Sequence, residues 1–456
     1  MGSFVETLRG IVGPAGVLEG DALQARLAGK PQQQARWLVR PADTAEVSQV
    51  LAACHAAGVA VVPQGGLTGL VHATDTRPDE LILSLERMQQ LSVDTTQRVL
   101  VAQAGVLLES AQAAAVAAGL MVPVDLGARG SATLGGMVAT NAGGNSVIRY
   151  GMMRENLRGL EVVLADGTVL DMTNQLVKNN SGYDLKHLFI GSEGTLGVVT
   201  RVVLRLCEPP AGRGTALLAL PGFDAVAPLL RRLDQALDGT LSAFEVMWQD
   251  FYRTVTTPPA LTRPPLAHDH PLYVLVECGT ADGTERLCEI LAAAMEEGTV
   301  ADATIAQSER EAKALWAMRD DVAQLRRSGP LVAYDISLRL ADTGPYIEDL
   351  RGAIGRRWPG ARVWAFGHLG DGNVHVAVHV PQLDAAGRSE LDGLVYTPLQ
   401  ALRGAVSAEH GIGLEKKAWL AISRTPAEFA LMRTLKQSLD PRGVLNPGRV
   451  FDTPLI

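Results

Sequence analysis

A predicted β-hairpin places two histidines opposite each other, and it constrains the fold more than any other segment. The hairpin spans residues 364–378. Asp371-Gly372 at its centre is typical of a two-residue type I′ turn, because both turn positions need positive φ. With that turn, His368 pairs directly with His375, and directly opposed side chains share one face of a sheet. Two imidazoles at that spacing can chelate one metal ion.

The residues around this hairpin leave a metal site and an ordinary packing role both open. Valines alternate along residues 374–380, which places His375 on the opposite face of its strand, where a pocket can form. A lone histidine in a strand is usually a core or surface residue, so a third ligand is needed. The candidate is Glu409, because two histidines and one glutamate with an open position form a catalytic zinc set. His410 beside it is a candidate fourth ligand or base.

Length, charge and cysteine content limit the class of protein. The 456 residues predict two domains, or one domain with a large insertion. The net charge of −8, without any lysine and arginine cluster, argues against a nucleic-acid surface. The four cysteines show no metal or redox spacing, and we interpret them as buried free thiols. With neither a signal-peptide pattern nor a transmembrane segment, we expect a cytoplasmic protein.

The first half of the chain has an α/β pattern. Within residues 42–208, Asp43 or Thr44 is predicted to cap a helix that runs to about Ala57, with Gly58 as its stop. A short strand over residues 59–62 is predicted to end at Pro63, because proline lacks the N–H group that a strand ladder uses.

A change of pattern at residues 208–210 indicates a domain boundary. Residues 215–380 read as strand–helix–strand units and include one long predicted helix over residues 309–328. This order predicts an antiparallel sheet with helices on one side. A capping box at Thr425, with Pro426 in the first turn, predicts a last helix.

Three glycine-rich segments lie within the α/β region: residues 63–70, 131–145 and 191–198. Glycine lets backbone N–H groups crowd onto a bound anion, so such segments can cradle a pyrophosphate. A single glycine-rich segment is most often only a turn, and none of the three is a Gly-x-Gly-x-x-Gly or Walker A motif. Three in one region indicate a dinucleotide lying along several loops.

Taken together, these motifs resemble the vanillyl-alcohol oxidase / p-cresol methylhydroxylase flavoprotein superfamily, and within it the FAD-dependent D-2-hydroxyacid dehydrogenases. This group acts on D-lactate, glycolate or D-2-hydroxyglutarate, and the resemblance extends from about residue 36 to residue 451. Its most specific stretches are Pro63–Leu70, Asp125–Gly144, Gly191–Val199, Gly367–His375, Ser407–Lys417 and Asp440–Arg449.

The resemblance implies an α+β fold in three parts. These are a two-subdomain FAD-binding domain of the p-cresol methylhydroxylase type (residues 1–208), a cap domain with an antiparallel sheet covered by helices (residues 209–420), and a C-terminal helical segment that returns to the FAD domain (residues 421–456). It also implies that residues 63–70 hold the FAD pyrophosphate and that Asn446 returns to the flavin ring. Leu67 stands where relatives with covalent FAD have a histidine, so we expect non-covalent FAD.

The expected cofactor-binding residues are Pro63, Gln64, Gly65, Gly66, Leu67, Thr68, Gly69, Leu70, Asp125, Gly127, Ser131, Thr133, Gly135, Gly136, Thr140, Asn141, Gly143, Gly144, Glu193, Gly194, Gly197, Val198, Val199 and Asn446.

The resemblance also assigns roles around the two histidines. The expected metal ligands are His368, His375 and Glu409, with zinc the usual metal, although such a set also accepts manganese or cobalt. Asn373 matches a substrate contact, and Arg319 matches an arginine that binds a substrate carboxylate. His410 matches the catalytic base, which binds the substrate and takes the hydroxyl proton while hydride passes from C2 to flavin N5.

Two positions depart from the D-2-hydroxyglutarate enzymes that the chain resembles. Those enzymes have a threonine and a lysine where this chain has Ala323 and Ala333. Losing two charge-assisted hydrogen bonds, each contributing roughly 1.5–3 kcal/mol, weakens dicarboxylate binding. We therefore favour a smaller or apolar substrate such as D-lactate or D-mandelate. D-2-hydroxyglutarate stays an alternative, because Arg326 or Arg339 can supply a charge from another direction.

Two other classes of protein remain alternatives. A zinc-dependent hydrolase would use the two histidines and Glu409 but leaves the glycine-rich segments unexplained. A non-catalytic flavin subunit would bind FAD without being reduced by any hydroxy acid. For the enzyme, the expected electron acceptor is an electron-transfer flavoprotein, a quinone or a cytochrome. A homodimer is typical of the family, although no segment identifies an interface.

Overall fold

The computed structural model describes residues 2–260 and 262–452. The α-helices are α1 (Gly2–Val12), α2 (Gly20–Leu27), α3 (Thr44–Ala57), α4 (Leu108–Ala117), α5 (Leu134–Thr140), α6 (Val147–Tyr150), α7 (Met153–Asn156), α8 (Lys186–Phe189), α9 (Val226–Leu237), α10 (Gln249–Thr256), α11 (Gly283–Glu296), α12 (Glu309–Asp320), α13 (Leu340–Arg357), α14 (Ala385–Leu402), α15 (Leu420–Ser423) and α16 (Pro426–Leu439). Short 3-10 helices span Pro14–Gly16, Phe223–Ala225, Val322–Ser328 and Lys417–Trp419.

The strands are β1 (Val17–Leu18), β2 (Trp37–Val39), β3 (Val61–Gln64), β4 (Leu81–Ser84), β5 (Leu91–Asp94), β6 (Val99–Gln103), β7 (Leu157–Val163), β8 (Val169–Met172), β9 (Val198–Arg205), β10 (Gly214–Leu220), β11 (Leu241–Trp248), β12 (Leu272–Cys278), β13 (Asp302–Ile305), β14 (Val332–Ser337), β15 (Arg362–His368) and β16 (Asn373–His379).

The chain divides into two compact units. The first contains residues 1–144, 151–209 and 409–456, and the second contains residues 145–150 and 210–408. These two units are defined by contacts between residues and not by independent folding. The domain limits expected from the sequence therefore stay a prediction.

Two sheets form the framework of the first unit. One has four strands in the order β1-β2-β4-β3, of which β2, β4 and β3 run parallel and β1 runs antiparallel to β2. The other has five antiparallel strands in the order β5-β6-β9-β7-β8. One large cluster of buried apolar side chains connects both sheets with α1, α3, α4 and α5.

The local signals around α3 produced one correct prediction and one error. Asp43 caps the helix by accepting a hydrogen bond from the Glu46 N–H at 2.9 Å, and Gly58 ends it with φ of 67°. The strand that follows does not end at Pro63, as predicted, but continues to Gln64. Proline is tolerated because β3 is the edge strand of its sheet, where the missing N–H removes no ladder bond.

A seven-stranded antiparallel sheet forms the second unit, in the order β13-β10-β12-β11-β15-β16-β14. Side chains of α10 and α12 pack on one face, against Leu217 and Leu275 among others. Residues that point to the other face, such as Leu218 and Val246, are also fully buried, and α9 and α11 contact their strands. The expectation of helices on one side only is therefore wrong, because both faces are apolar.

The long helix predicted over residues 309–328 is broken. The α-helix α12 ends at Asp320, and a 3-10 helix begins at Val322. Between them Asp321 has a non-helical ψ of 46°, and its carboxylate accepts a hydrogen bond from Gln324 Nε2 at 2.9 Å. A short acidic side chain that bonds locally competes with the helical backbone.

The hairpin register differs from the predicted one by two residues. His375 lies opposite Phe366 and not His368, because residues 369–372 form a four-residue loop in place of a two-residue turn. Gly372 has φ of 85°, whereas Asp371 does not have positive φ. Side chains alternate with a period of two, so a shift of two residues leaves His368 on the predicted face.

No helix of the described residues is long and apolar enough to span a membrane. All four cysteines are free thiols, and Cys54 and Cys278 are buried. Cys288 is exposed on α11, so the expectation of buried thiols is wrong at that position.

Candidate active site

A cavity in the first unit is lined by all three glycine-rich segments and by the C-terminal tail. The predicted residues that line it are Pro63, Gln64, Gly65, Thr133, Gly135, Gly136, Thr140, Glu193, Gly194, Gly197, Val198, Val199 and Asn446. Ala73, Thr74, Leu85 and Ala139 line it as well and were not predicted. The segments that the sequence analysis treated separately thus converge on one site.

Close backbone contacts hold these segments together. A Cβ atom on Gly66 would overlap the carbonyl group of Ser131, so only glycine permits this approach of the first segment to the second. Thr133 caps α5, its hydroxyl accepting a hydrogen bond from the Gly136 N–H at 3.3 Å. Gln64, at the end of β3, donates to the Gln33 side chain at 2.7 Å. The walls of the cavity are therefore fixed by the fold.

Two strained residues meet at this cavity. Glu193 has φ of 52° and Asn446 has φ of 43°, and such a conformation costs a non-glycine residue on the order of 1–3 kcal/mol. Asn446 Nδ2 donates to the Glu193 carbonyl group at 2.7 Å. Asn446 Oδ1 is buried and has no hydrogen-bond partner within residues 2–260 and 262–452. A buried acceptor in a cavity wall fits a ligand that carries N–H groups, as a flavin does.

A buried ion pair anchors the tail that carries Asn446. Lys436 Nζ contacts the Asp440 carboxylate at 2.5 Å and donates to the carbonyl groups of Thr195 and Leu445, at 2.8 and 2.7 Å. Burial lowers the pKa of Lys436, and the Asp440 charge opposes that shift. The lysine of this pair links the C-terminal tail, which carries Asn446, to the turn after Glu193. The same ion pair therefore anchors both of these segments of the cavity wall.

The remaining predicted cofactor residues lie outside this cavity. They are Gly66, Leu67, Thr68, Gly69, Leu70, Asp125, Gly127, Ser131, Asn141, Gly143 and Gly144. Asp125 pairs with Arg129 at 2.8 Å, and the Asn141 side chain accepts from the Arg154 N–H at 3.0 Å. Their cofactor role stays a prediction.

In the second unit, four neighbouring strands place polar side chains on one face of the sheet. Glu245 of β11 lies opposite His368 of β15, and Asp335 of β14 lies opposite His375 of β16. Asn373 is two residues before His375 and so points to the same face. The rings of His368 and His375 lie 5.2 Å apart and nearly perpendicular. The predicted proximity of the two histidines is therefore confirmed, with a different register.

Glu245 is fully enclosed and connects His368 with Arg319. Its carboxylate lies 2.5 Å from His368 Nδ1 and accepts from Arg319 Nε at 2.8 Å. Burial opposes ionisation, but the charges and hydrogen bonds of His368 and Arg319 outweigh it and lower the pKa of Glu245 to about 2. Arg319 Nη2 lies 3.4 Å from His368 Nε2. The arginine therefore has an internal partner for its charge.

Asp335 contacts both His375 and Asn373, the residue that is expected to bind the substrate. It lies 3.7 Å from His375 Nδ1 and accepts from Asn373 Nδ2 at 2.8 Å. Asn373 Oδ1 is buried and has no hydrogen-bond partner in the described part of the chain. The N–H of Ala408 also donates to Asp335, at 3.2 Å, and Glu409 is the next residue along the chain.

Sequence reasoning missed both of these acids. Glu245 is the single charge in a largely apolar strand, residues 241–248, which was not predicted at all. Asp335 likewise interrupts the apolar β14. An isolated acid in an apolar strand is the signal that was available, because buried carboxylates are nearly always paired.

This donor set fits a metal on chemical grounds. With Nδ1 of His368 donating to Glu245, Nε2 is the ring nitrogen that a metal would take, in place of its contact with Arg319 Nη2 at 3.4 Å. Histidines that bind metal usually donate their other ring N–H to a carboxylate or a carbonyl group. Glu245 is placed to serve His368 in this way, and Asp335 lies beside His375 Nδ1 at the longer distance of 3.7 Å.

Comparison with known proteins gives consistent matches over both units. Residues 35–173 match the family described as FAD binding domain, and residues 209–450 match the family described as FAD linked oxidases, C-terminal domain. The chain is 44% identical to the mitochondrial D-2-hydroxyglutarate dehydrogenase of Bos taurus over 423 residues, which is 91% of this chain and 77% of that protein. It is 40% identical to the D-2-hydroxyglutarate dehydrogenase of Xanthomonas citri pv. viticola, over 91% of this chain and 88% of that protein.

Solved structures show the same fold at low sequence identity. The structure of p-cresol methylhydroxylase with substrate bound aligns with a TM-score of 0.78 at 15% identity, covering 99% of this chain and 97% of that one. Alkyldihydroxyacetonephosphate synthase aligns with a TM-score of 0.75 at 17% identity, covering 98% of this chain and 86% of that one.

The matched domains and the similar dehydrogenases define an FAD-dependent oxidoreductase that acts on a CH–OH group. More narrowly, the chain belongs to the family of FAD-dependent D-2-hydroxyacid dehydrogenases, and it has the fold of p-cresol methylhydroxylase. The predicted family, the α+β fold class and the FAD cofactor are thereby confirmed. A dehydrogenase of this kind uses a small hydroxy acid and an electron acceptor. The zinc-hydrolase alternative leaves the FAD matches unexplained.

Proposed function

We propose that this enzyme oxidises a D-2-hydroxy acid with a small or apolar side chain, such as D-lactate or D-mandelate, to the 2-oxo acid. The observation that carries the proposal is the pairing of Arg319. Its guanidinium is buried and bonded to the fully buried Glu245 at 2.8 Å. An arginine with an internal counter-charge is a weaker receptor for a second substrate carboxylate than a free one.

Other groups near this face offer little for a distal carboxylate. Ala333 lies on the same sheet face as Asp335, and it carries no donor where the hydroxyglutarate enzymes have a lysine. Ala323 is exposed and likewise carries no donor. Of the substitutes that the sequence suggested, Arg339 pairs with Asp342 at 2.7 Å, and Arg326 is exposed.

The proposed roles of the chain's own residues follow from their hydrogen bonds. Asn373, whose Oδ1 is buried and unpaired in the described chain, contacts and orients the substrate. His410 takes the hydroxyl proton as general base, since imidazole is the side chain most often used for that step near neutral pH. FAD, when bound along the cavity residues of the first unit, supplies the hydride acceptor at N5. The chain orients the substrate and moves the proton.

We also propose a divalent metal, zinc first, held by His368, His375 and Glu409. The carboxylate partners of both histidines support this set, and chain continuity places Glu409 one peptide bond after Ala408, which is bonded to Asp335. A metal in such a set lowers the pKa of a coordinated hydroxyl group. Leu67 in place of a histidine supports non-covalent attachment of FAD.

D-2-hydroxyglutarate is the second candidate substrate. The names of the relatives at 34–44% identity favour it. In that case Arg319 binds the distal carboxylate through Nη1, which lies 3.6 Å from the partly exposed Asp320 and is not bonded to Glu245.

Measuring kcat/KM with an artificial electron acceptor distinguishes the two candidates. With D-lactate, D-mandelate and D-2-hydroxyglutarate compared on one preparation, we expect one of the monocarboxylates to exceed the dicarboxylate at least about tenfold, the effect of one lost charge-assisted bond. A higher value for D-2-hydroxyglutarate would reverse the substrate assignment and leave the reaction class unchanged.

The remaining assignments extend the proposal beyond the site. We propose that electrons leave to an electron-transfer flavoprotein, a quinone or a cytochrome, that the enzyme works in the cytoplasm, and that it forms a homodimer. Resemblance to the family supports the acceptor and the dimer. Measurement of oxygen consumption and of molar mass in solution tests them.

A further inference from the structure

A single carboxylate in the wall of the flavin cavity holds the loop that carries His410. The side chain of Glu193 is buried, and its two oxygens accept hydrogen bonds from the backbone N–H groups of Ile412, at 2.6 Å, and Gly413, at 2.8 Å. These donors lie two and three residues after His410. The carboxylate therefore fixes the backbone on which the proposed base is mounted.

The loop that carries His410 lies in close contact with the carboxylate of Glu193 at Gly411. Gly411 has φ of 84°, a backbone conformation that favours glycine. A Cβ atom on it would also lie only 2.7 Å from Glu193 Oε1, so both the backbone and the space favour glycine at this position. Successive backbone N–H groups in such a turn form a concave site for an anion. In this protein the group bound by these N–H groups is the side-chain carboxyl group of Glu193, a residue of the cavity wall. Burial raises the pKa of Glu193 above its usual value, and the two N–H groups and the charge of Lys416 only partly offset that shift.

The same loop is attached to two further segments of the cavity. The Leu414 N–H donates to the carbonyl group of Val71 at 3.0 Å, directly after the glycine-rich residues 63–70. The Val450 N–H, in the C-terminal tail, donates to the carbonyl group of Gly413 at 3.0 Å. Three cavity segments therefore converge on one short loop, and the loop and the cavity wall form one hydrogen-bonded unit.

We propose that Glu193 is a positioning residue that sets His410 relative to the flavin cavity. Its backbone carbonyl group is held by Asn446, inside the cavity, while its carboxylate holds the loop after His410. The side chain of Glu193 thus links the cofactor wall to the loop that carries the base, in addition to the backbone hydrogen bonds of Leu414 and Val450. This inference rests on the proposed role of His410 as the base.

Glu193→Gln tests the inference in the FAD-loaded enzyme. The amide keeps the size of the side chain but accepts one N–H and turns its own NH2 group toward the other. We expect the dissociation constant for FAD, from flavin fluorescence, to stay within about threefold, because the backbone contact to Asn446 remains. The limiting rate of flavin reduction by substrate should fall at least about tenfold, since a small misplacement of a reacting group is costly. Amide hydrogen exchange of residues 411–414 should accelerate.

Ser192→Ala is the matched control, because its hydroxyl group donates to Phe189, at 2.8 Å, and not to the loop. Native exchange at residues 411–414 and a native reduction rate in Glu193→Gln would overturn the proposal, as would a tenfold or greater loss of FAD affinity with the loop still protected. If exchange accelerates but no D-2-hydroxy acid reduces even the unaltered enzyme, the proposed function fails while the contact between Glu193 and the loop stands.

Discussion

Two buried acids, Glu245 and Asp335, lie beside the rings of His368 and His375 and bear on their ability to bind a metal. Glu245 fixes the ring of His368 through Nδ1, and Asp335 lies beside Nδ1 of His375, at 2.5 and 3.7 Å. An imidazole fixed in this way presents its other nitrogen in one direction, which is what a metal ligand needs. The histidines could be identified in the sequence from their spacing. The pairing of the two acids with these histidines could not, because the partners are distant along the chain.

Glu245→Gln tests this orientation. The amide loses the charge that Arg319 and His368 share, and partners of this kind typically contribute a factor of about 10–100 to metal affinity. We therefore expect zinc affinity, measured by calorimetry, to fall by about that factor with FAD content unchanged. Glu277→Gln is the control, since this acid accepts a hydrogen bond from Trp316 at 2.9 Å and has no histidine partner among the described contacts. Equal losses in both variants would contradict the orienting role.

His375→Ala should abolish turnover and leave FAD bound. The substitution removes a proposed ligand from the second unit, whereas the flavin cavity belongs to the first. A fall in kcat of at least about a hundredfold, with loss of bound metal, is expected. His379→Ala is the control, because His379 lies on the same strand and bonds to the Pro330 carbonyl group at 3.0 Å. Loss of the flavin in His375→Ala would show a structural role.

At the scale of elements, the signals that depend on near neighbours were predictive. The cap and stop of α3 and the capping box of α16 appear as predicted, because each depends on residues three to four positions apart. The hairpin register, the continuation of β3 through Pro63 and the whole of β11 depend on partners far along the chain. The sequence therefore predicted the histidine face but not the loop that joins its two strands.

Helix α16 offers a comparison between a buried and an exposed ion pair. Lys436 and Asp440 are buried at i, i+4, whereas Glu309 and Lys313 have the same spacing on the surface of α12. Lys436→Met leaves a buried carboxylate without its cation, which costs about 3–5 kcal/mol, whereas the exposed pair contributes little because water screens it. Denaturant unfolding should show a loss of that size for Lys436→Met and little change for Lys313→Met. Equal effects would contradict the anchoring of the tail.

At the scale of the whole molecule, the flavin cavity and the two histidines lie in different units of the chain. The walls of the flavin cavity belong to the first unit, and His368 and His375 belong to the second. The glycine-rich segments predicted the cavity because glycine at close contacts is visible in a sequence. The pairing of Arg319 with Glu245, which bears on the substrate, was not visible, because only the fold brings them together.

Metal removal should therefore spare the flavin. Dialysis against a strong chelator is expected to leave the visible flavin spectrum unchanged and to abolish reduction by substrate, because the histidines do not line the FAD cavity. Added zinc, manganese or cobalt should restore reduction to different extents, since two histidines and a carboxylate accept all three. Full activity after complete removal of metal would contradict the proposed metal site.

The most direct test of the central claim is the visible spectrum of the purified enzyme, reconstituted with FAD, during anaerobic addition of D-2-hydroxy acids. The account predicts that the flavin bands bleach with at least one D-acid and not with its L-enantiomer. A protein that binds no FAD, or whose bound flavin stays oxidised with every D-2-hydroxy acid tested, would contradict it.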